Sequence, residues 1–237
     1  MEIRLRSVLR NPQLPLIVKA ILFGGFLALA KIGNMQLFPI LFFLAITLFL
    51  YAKPLFRTLL FLTPLFFLVT LAILMARAAA WEIFALLVIP AMSFLFYLLL
   101  GIKQLVFVRR ELWLRVMYLS FGYASMVLFF AASPEHRWSA FVALLVGLFL
   151  LLRGMFSKQY LSSVVLLLLL AEAVWGISLL PFGPIHAASA AFLIYFFVTD
   201  LVWNVKAGTL TRHILLIDST IFIFLAFIIA ATTRWAI

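Results

Sequence analysis

The chain has 237 residues, 68% of them hydrophobic and 11% charged, with a mean hydropathy of +1.29, no cysteine and a formal net charge of +11. A water-soluble fold of this size has too little interior to hide so much apolar surface, which excludes that class. The absence of cysteine excludes disulfides, thiolate metal sites and a cysteine nucleophile, and with no loop long enough to form a basic domain the charge does not point to nucleic acid.

The apolar runs are solid rather than alternating, so they read as membrane-spanning helices and not as barrel strands. The expected fold is all-α, a single polytopic transmembrane helical bundle over 1–237. About nine spans are expected, near 14–32, 36–52, 58–76, 82–100, 115–132, 138–152, 160–180, 185–205 and 214–232. With the N-terminus cytoplasmic and the C-terminus outside, and Lys19 inside the first span left out, thirteen Lys and Arg fall on the cytoplasmic side and four, Lys31, Arg77, Arg137 and Arg234, on the other. That asymmetry follows the positive-inside rule, in the multi-pass pattern of a prokaryotic-type plasma membrane protein. The lipid bilayer is the expected partner, with further copies or other membrane proteins as candidates and no cofactor or metal.

In the first span, Ala28-Leu29-Ala30 resembles a signal-peptidase site, but Lys19 interrupts the apolar region, so an uncleaved span is expected. Gly24, Gly25 and Ala28 suit close approach of a neighbouring helix. Pro39 and Pro64 stand near helix starts, where proline is tolerated. Pro90 is mid-span and should kink the fourth helix. The connection from Gly101 to Arg115 reads as a short interfacial helix running into the fifth span. Its cations Lys103, Arg109, Arg110 and Arg115 are candidate lipid-head contacts, besides setting the topology. Ala143 with Gly147, and the AASAA run from Ala187 to Ala191, are small-residue faces for helix packing.

The candidate chemistry lies in the last three spans. Glu172, Asp200 and Asp218 are the acidic residues well inside apolar runs, and such groups face a bundle interior, carry a proton or hold a partner. Asp200 stands six residues before Lys206 and Asp218 six after Arg212, so both should lie roughly 9 Å inside the same end. Asn204 shares the face of Asp200 at i+4, and Glu172 should sit deeper. Glu172, Asp200, Asn204 and Asp218 form a candidate polar path. Lys19, Lys206, Arg212 and His213 are its possible charge partners.

Three functions stay open. The first is movement of a proton, cation or small solute along that path. The second is a non-catalytic structural or assembly subunit of a membrane complex, in which enlarging Ala187 or Ala191 would break a partner contact. The third is a membrane-embedded enzyme acting on lipid-linked substrate near the basic 101–115 segment. The chain carries no GxSxG, HExxH, Walker A or GxGxxG motif, so an enzyme is the less expected class.

Overall fold

The computed structural model describes residues 13–52, 61–156 and 160–233, with the side chain of Lys206 left out. It is all-helical, with 87% of residues in helix and no strand among those described. The helices are α1 (Leu14–Ile32), α2 (Leu37–Ala52), α3 (Leu62–Ala78), α4 (Trp81–Lys103), α5 (Arg110–Ala131), α6 (Arg137–Met155), α7 (Tyr160–Ser178), α8 (Pro184–Ala207) and α9 (Arg212–Thr232). Every apolar stretch expected from the sequence is helical over most of its described residues, with differences of one or two residues at the ends. Seven of these helices are long and apolar enough to cross a membrane; α2 and α3 are shorter, at 16 and 17 residues.

The chain divides into two compact units, residues 1–117 and 118–237. In the first, α1 packs against α2, α3 and α4. Phe23 is fully buried between Phe43, at 5.3 Å between ring centres, and Phe96, stacked at 4.5 Å. Gly24 provides the close approach of α1 to α4, since a Cβ there would run into Ser93 Oγ. Gly25, one residue on, is exposed with nothing near it, so only one of the paired glycines is used this way.

Pro39 and Pro64 are each the third residue of their helix, where the missing N–H has no intrahelical partner to lose. At Pro90, where a kink is expected, the backbone shows a local change of helix type. The turn before it, Phe84–Val88, is a π-helix, with the Ile89 N–H bonded to Phe84 O. A proline ring clashes with the carbonyl four residues back, here Leu86, and the wider turn relieves that contact.

The 101–115 segment meets expectation only in its last part, which runs as helix from Arg110 into the fifth span, while 104–109 are not helical. The chain turns at 104–109 through Leu105 at φ 59°, and α5 starts directly at Arg110. Phe107 folds back onto Gly101, whose missing side chain leaves room for the ring, and lies 5.6 Å from Tyr97 and 5.5 Å from Trp113.

In the second unit, α6 packs on α7, α7 on α8 and α8 on α9. Two glycines seat tyrosines: Gly122 lies under the fully buried Tyr195 ring, and Gly154 under the Tyr118 hydroxyl. Trp175 of α7 meets Trp138 at 5.1 Å and Phe141 at 5.5 Å on α6. The small-residue run of α8 is spent inside the unit: Ala187, Ala188 and Ala191 are buried, which leaves them no free face for a partner. Gly147 is buried but Ala143 is exposed, so that pair does not act together.

The polar side of the α8–α9 hairpin as candidate functional site

The turn between α8 and α9 is built from local chemistry. Gly208 closes α8 at φ 67°, a left-handed position that glycine occupies without steric cost. Thr209 N–H then returns to Asn204 O at 3.1 Å. Thr211 caps α9 by accepting from Ile214 N–H at 3.3 Å. The two helices therefore leave a short turn as antiparallel neighbours.

That geometry fixes depth. Asp200 is seven residues before the end of α8 and Asp218 six after the start of α9. At 1.5 Å per residue, each is about 9–10 Å from the turn. Rotation follows from packing. The less exposed residues of α9 are Ile214, Asp218, Ser219, Phe222, Ala226, Ile229 and Ala230, which follow one stripe at helical spacing, while Leu216, Ile223 and Phe227 lie on the exposed side. Phe222 meets Phe197 of α8 at 4.9 Å between ring centres. Asp218 is thus on the face that packs against α8, at the level of Asp200.

Asp200 is half-buried and accepts from Asn204 Nδ2 at 2.7 Å. Asn204 Oδ1 in turn accepts from the exposed Thr209 hydroxyl at 3.3 Å. A polar ladder therefore runs from the turn inward: Thr209, Asn204, Asp200. The ladder follows from helical spacing, because Asn204 is one turn from Asp200 and its carbonyl is where the αL closure brings Thr209 back. Asp218, by contrast, makes no hydrogen bond or ion pair among the described residues, and none joins it to Asp200. Of the nearby hydroxyls, Thr199 donates to Tyr195 O at 2.7 Å and Thr220 to Leu216 O at 2.8 Å, while half-buried Ser219, beside Asp218, makes no hydrogen bond among the described residues.

The other expected members lie apart. Glu172 is exposed on α7, on the face carrying Leu168, Leu169 and Gly176, and makes no hydrogen bond or ion pair among the described residues. Counting from the α7–α8 turn, it lies about 15 Å from the level of Asp200. Arg212 and His213 are exposed in the first turn of α9 without an ion pair among the described residues, and the Lys206 side chain lies outside them. Lys19 donates to Leu50 O at 2.9 Å, within the first unit.

The first unit holds a cationic cluster that sequence reasoning placed wrongly. Lys103, expected to reach lipid heads, is fully buried. Its ammonium donates to Tyr51 O and lies 4.0 Å from the centre of the Tyr51 ring. Together Lys19 and Lys103 satisfy two of the last carbonyls of α2, which favour positive charge. The available signal was Tyr51 in the last turn of an otherwise apolar helix. Of the other candidate lipid-head contacts, Arg109 is exposed, Arg110 stacks over the Phe61 ring at 5.1 Å and Arg115 is half-buried. Among the described residues no three His, Asp or Glu lie together as a metal ion would require. In comparison with known proteins, no family model, no curated protein and no solved structure matches this chain.

Proposed function

We propose that the chain is a multi-pass protein of a prokaryotic-type plasma membrane that moves a proton or small cation along the α8–α9 hairpin. In this reading all nine helices cross the bilayer, with the N-terminus inside and the C-terminus outside. The thirteen-to-four excess of cations on the inner side supports that placement. The short α2 and α3 are accommodated by local thinning of the bilayer.

The observation that carries the functional reading is the ladder from Thr209 through Asn204 to Asp200, with Asp218 at the same depth on the facing helix. A charged carboxylate at the bilayer centre costs on the order of 3 kcal/mol. Two at one level favour a shared proton or a bound cation over two bare charges. The ladder lines the way to the cytoplasmic turn with polar groups along which water can carry such a proton or cation.

The route must be wet, which the cysteine-free chain allows to be tested directly. Asp200→Cys and Asp218→Cys are each expected to react with a membrane-impermeant thiol reagent supplied from the side of the 208–211 turn. Leu216→Cys, on the exposed apolar side of α9, is expected to stay unlabelled. Protection of both Asp sites as complete as that of Leu216→Cys would contradict the route.

A second reading, a non-catalytic assembly subunit, is favoured by Glu172. A carboxylate without a partner among the described residues, on the exposed face of an apolar helix, is the kind of group that another membrane helix would cover.

A further inference from the structure

At the end of the first unit opposite Lys19 and Lys103, α1 finishes at Ile32 and α3 at Ala78. Between those two ends lies a cleft of about 350 Å³, lined by Lys31, Asn34, Met35 and Arg77. Lys31 Nζ donates to Ala79 O at 3.0 Å and to Ala76 O, and lies over the Phe84 ring at 5.6 Å. An ammonium has three N–H groups, so one remains for a ligand. Arg77 Nη2 reaches Met35 O only at 3.4 Å, a long contact that leaves most of its five N–H groups unspent. The Asn34 side chain is exposed at the rim, on a backbone held at φ 54°.

Neither cation has a carboxylate partner among the described residues, and the nearby Glu82 is exposed and makes no ion pair there. Two positive charges and an amide therefore line one cleft, balanced among the described residues only by backbone carbonyls and by no carboxylate. Trp81, half-exposed and 5.8 Å from Phe84 between ring centres, stands beside it as tryptophan does at the headgroup level.

We propose that this cleft binds a phosphate group, carried by an anionic phospholipid or by a soluble phosphate. Phosphate is the anion that fits, because the flat guanidinium fork of Arg77 matches two phosphate oxygens while Lys31 supplies a point charge. The lipid source rests on the multi-pass reading above. Phosphate binding itself is independent of any flux through the α8–α9 hairpin.

The test uses the full chain in nanodiscs. Retention of phosphatidylglycerol is read by native mass spectrometry, and binding of inorganic phosphate by titration calorimetry in purely zwitterionic lipid. Arg77→Gln removes the fork, and Asn34→Gly removes the amide while keeping the left-handed backbone available. Each is expected to weaken binding, Arg77→Gln by about tenfold, the size of one lost charge-assisted contact. Arg137→Gln, in the second unit, is expected to leave it unchanged. An effect on phosphatidylglycerol alone identifies the headgroup as ligand; an effect on inorganic phosphate identifies a soluble phosphate. The proposal is overturned if Asn34→Gly and a folded Arg77→Gln bind both probes as the wild type does, or if the wild type binds neither.

Discussion

Lys103→Ala is expected to destabilise the protein by about 3 kcal/mol, whereas Lys103→Met is expected to change stability by less than about 1.5 kcal/mol. The side chain is fully buried, so truncation leaves both a cavity and a deserted carbonyl at Tyr51. Methionine fills nearly the same volume. It loses the bond to Tyr51 O, but it also removes a cation that is buried without a carboxylate partner among the described residues and stands near the charge of Lys19. The two changes therefore separate packing from charge. Denaturant unfolding in detergent micelles measures both, and equal losses for the two variants would show that the ammonium itself holds α2 in place.

Gly122→Ala is expected to destabilise the second unit by about 2 kcal/mol, within the usual range for overpacking. A Cβ at this position would stand 2.6 Å from Tyr195 Cε1, closer than packed carbons approach. The ring is fully buried and its hydroxyl points to Met155 Sδ at 3.7 Å, so it has little freedom to withdraw. The contact is specific enough for a double-mutant cycle. Tyr195→Leu alone should also destabilise, but combined with Gly122→Ala the losses should be less than additive, because leucine vacates the space that alanine enters. Additive losses would mean that the two residues do not share one packing site.

The helices were legible in the sequence because long uncharged runs bounded by Lys and Arg leave few alternatives to a helix in lipid. The tolerated places of Pro39 and Pro64 were legible too, since each acts through its own backbone. The side a residue faces was not legible. Ala187 and Ala191 read as a docking face, yet they are buried within the unit. Lys103 read as a surface cation, yet it caps the end of a helix fifty residues earlier in the chain. In a chain so uniformly apolar, hydrophobic periodicity carries almost no information on which face is inward. Tertiary contacts decide it instead. The candidate site shows the same division: the equal depth of Asp200 and Asp218 follows from counting residues, and Asn204 from i+4 spacing. That Asp218 faces α8 while Glu172 faces outward could be seen only once the helices were packed.

The most direct measurement is proton flux in proteoliposomes containing an internal pH dye, comparing wild type with Asp200→Asn, Asp218→Asn and the double variant, each checked for an unchanged melting temperature. The wild type is expected to carry flux down an imposed pH gradient, each single variant to lose most of it, and the double variant to fall to the level of empty liposomes. Flux that persists in the folded double variant, or that is absent from a folded wild type under both proton and cation gradients, would contradict a conducting role for the hairpin.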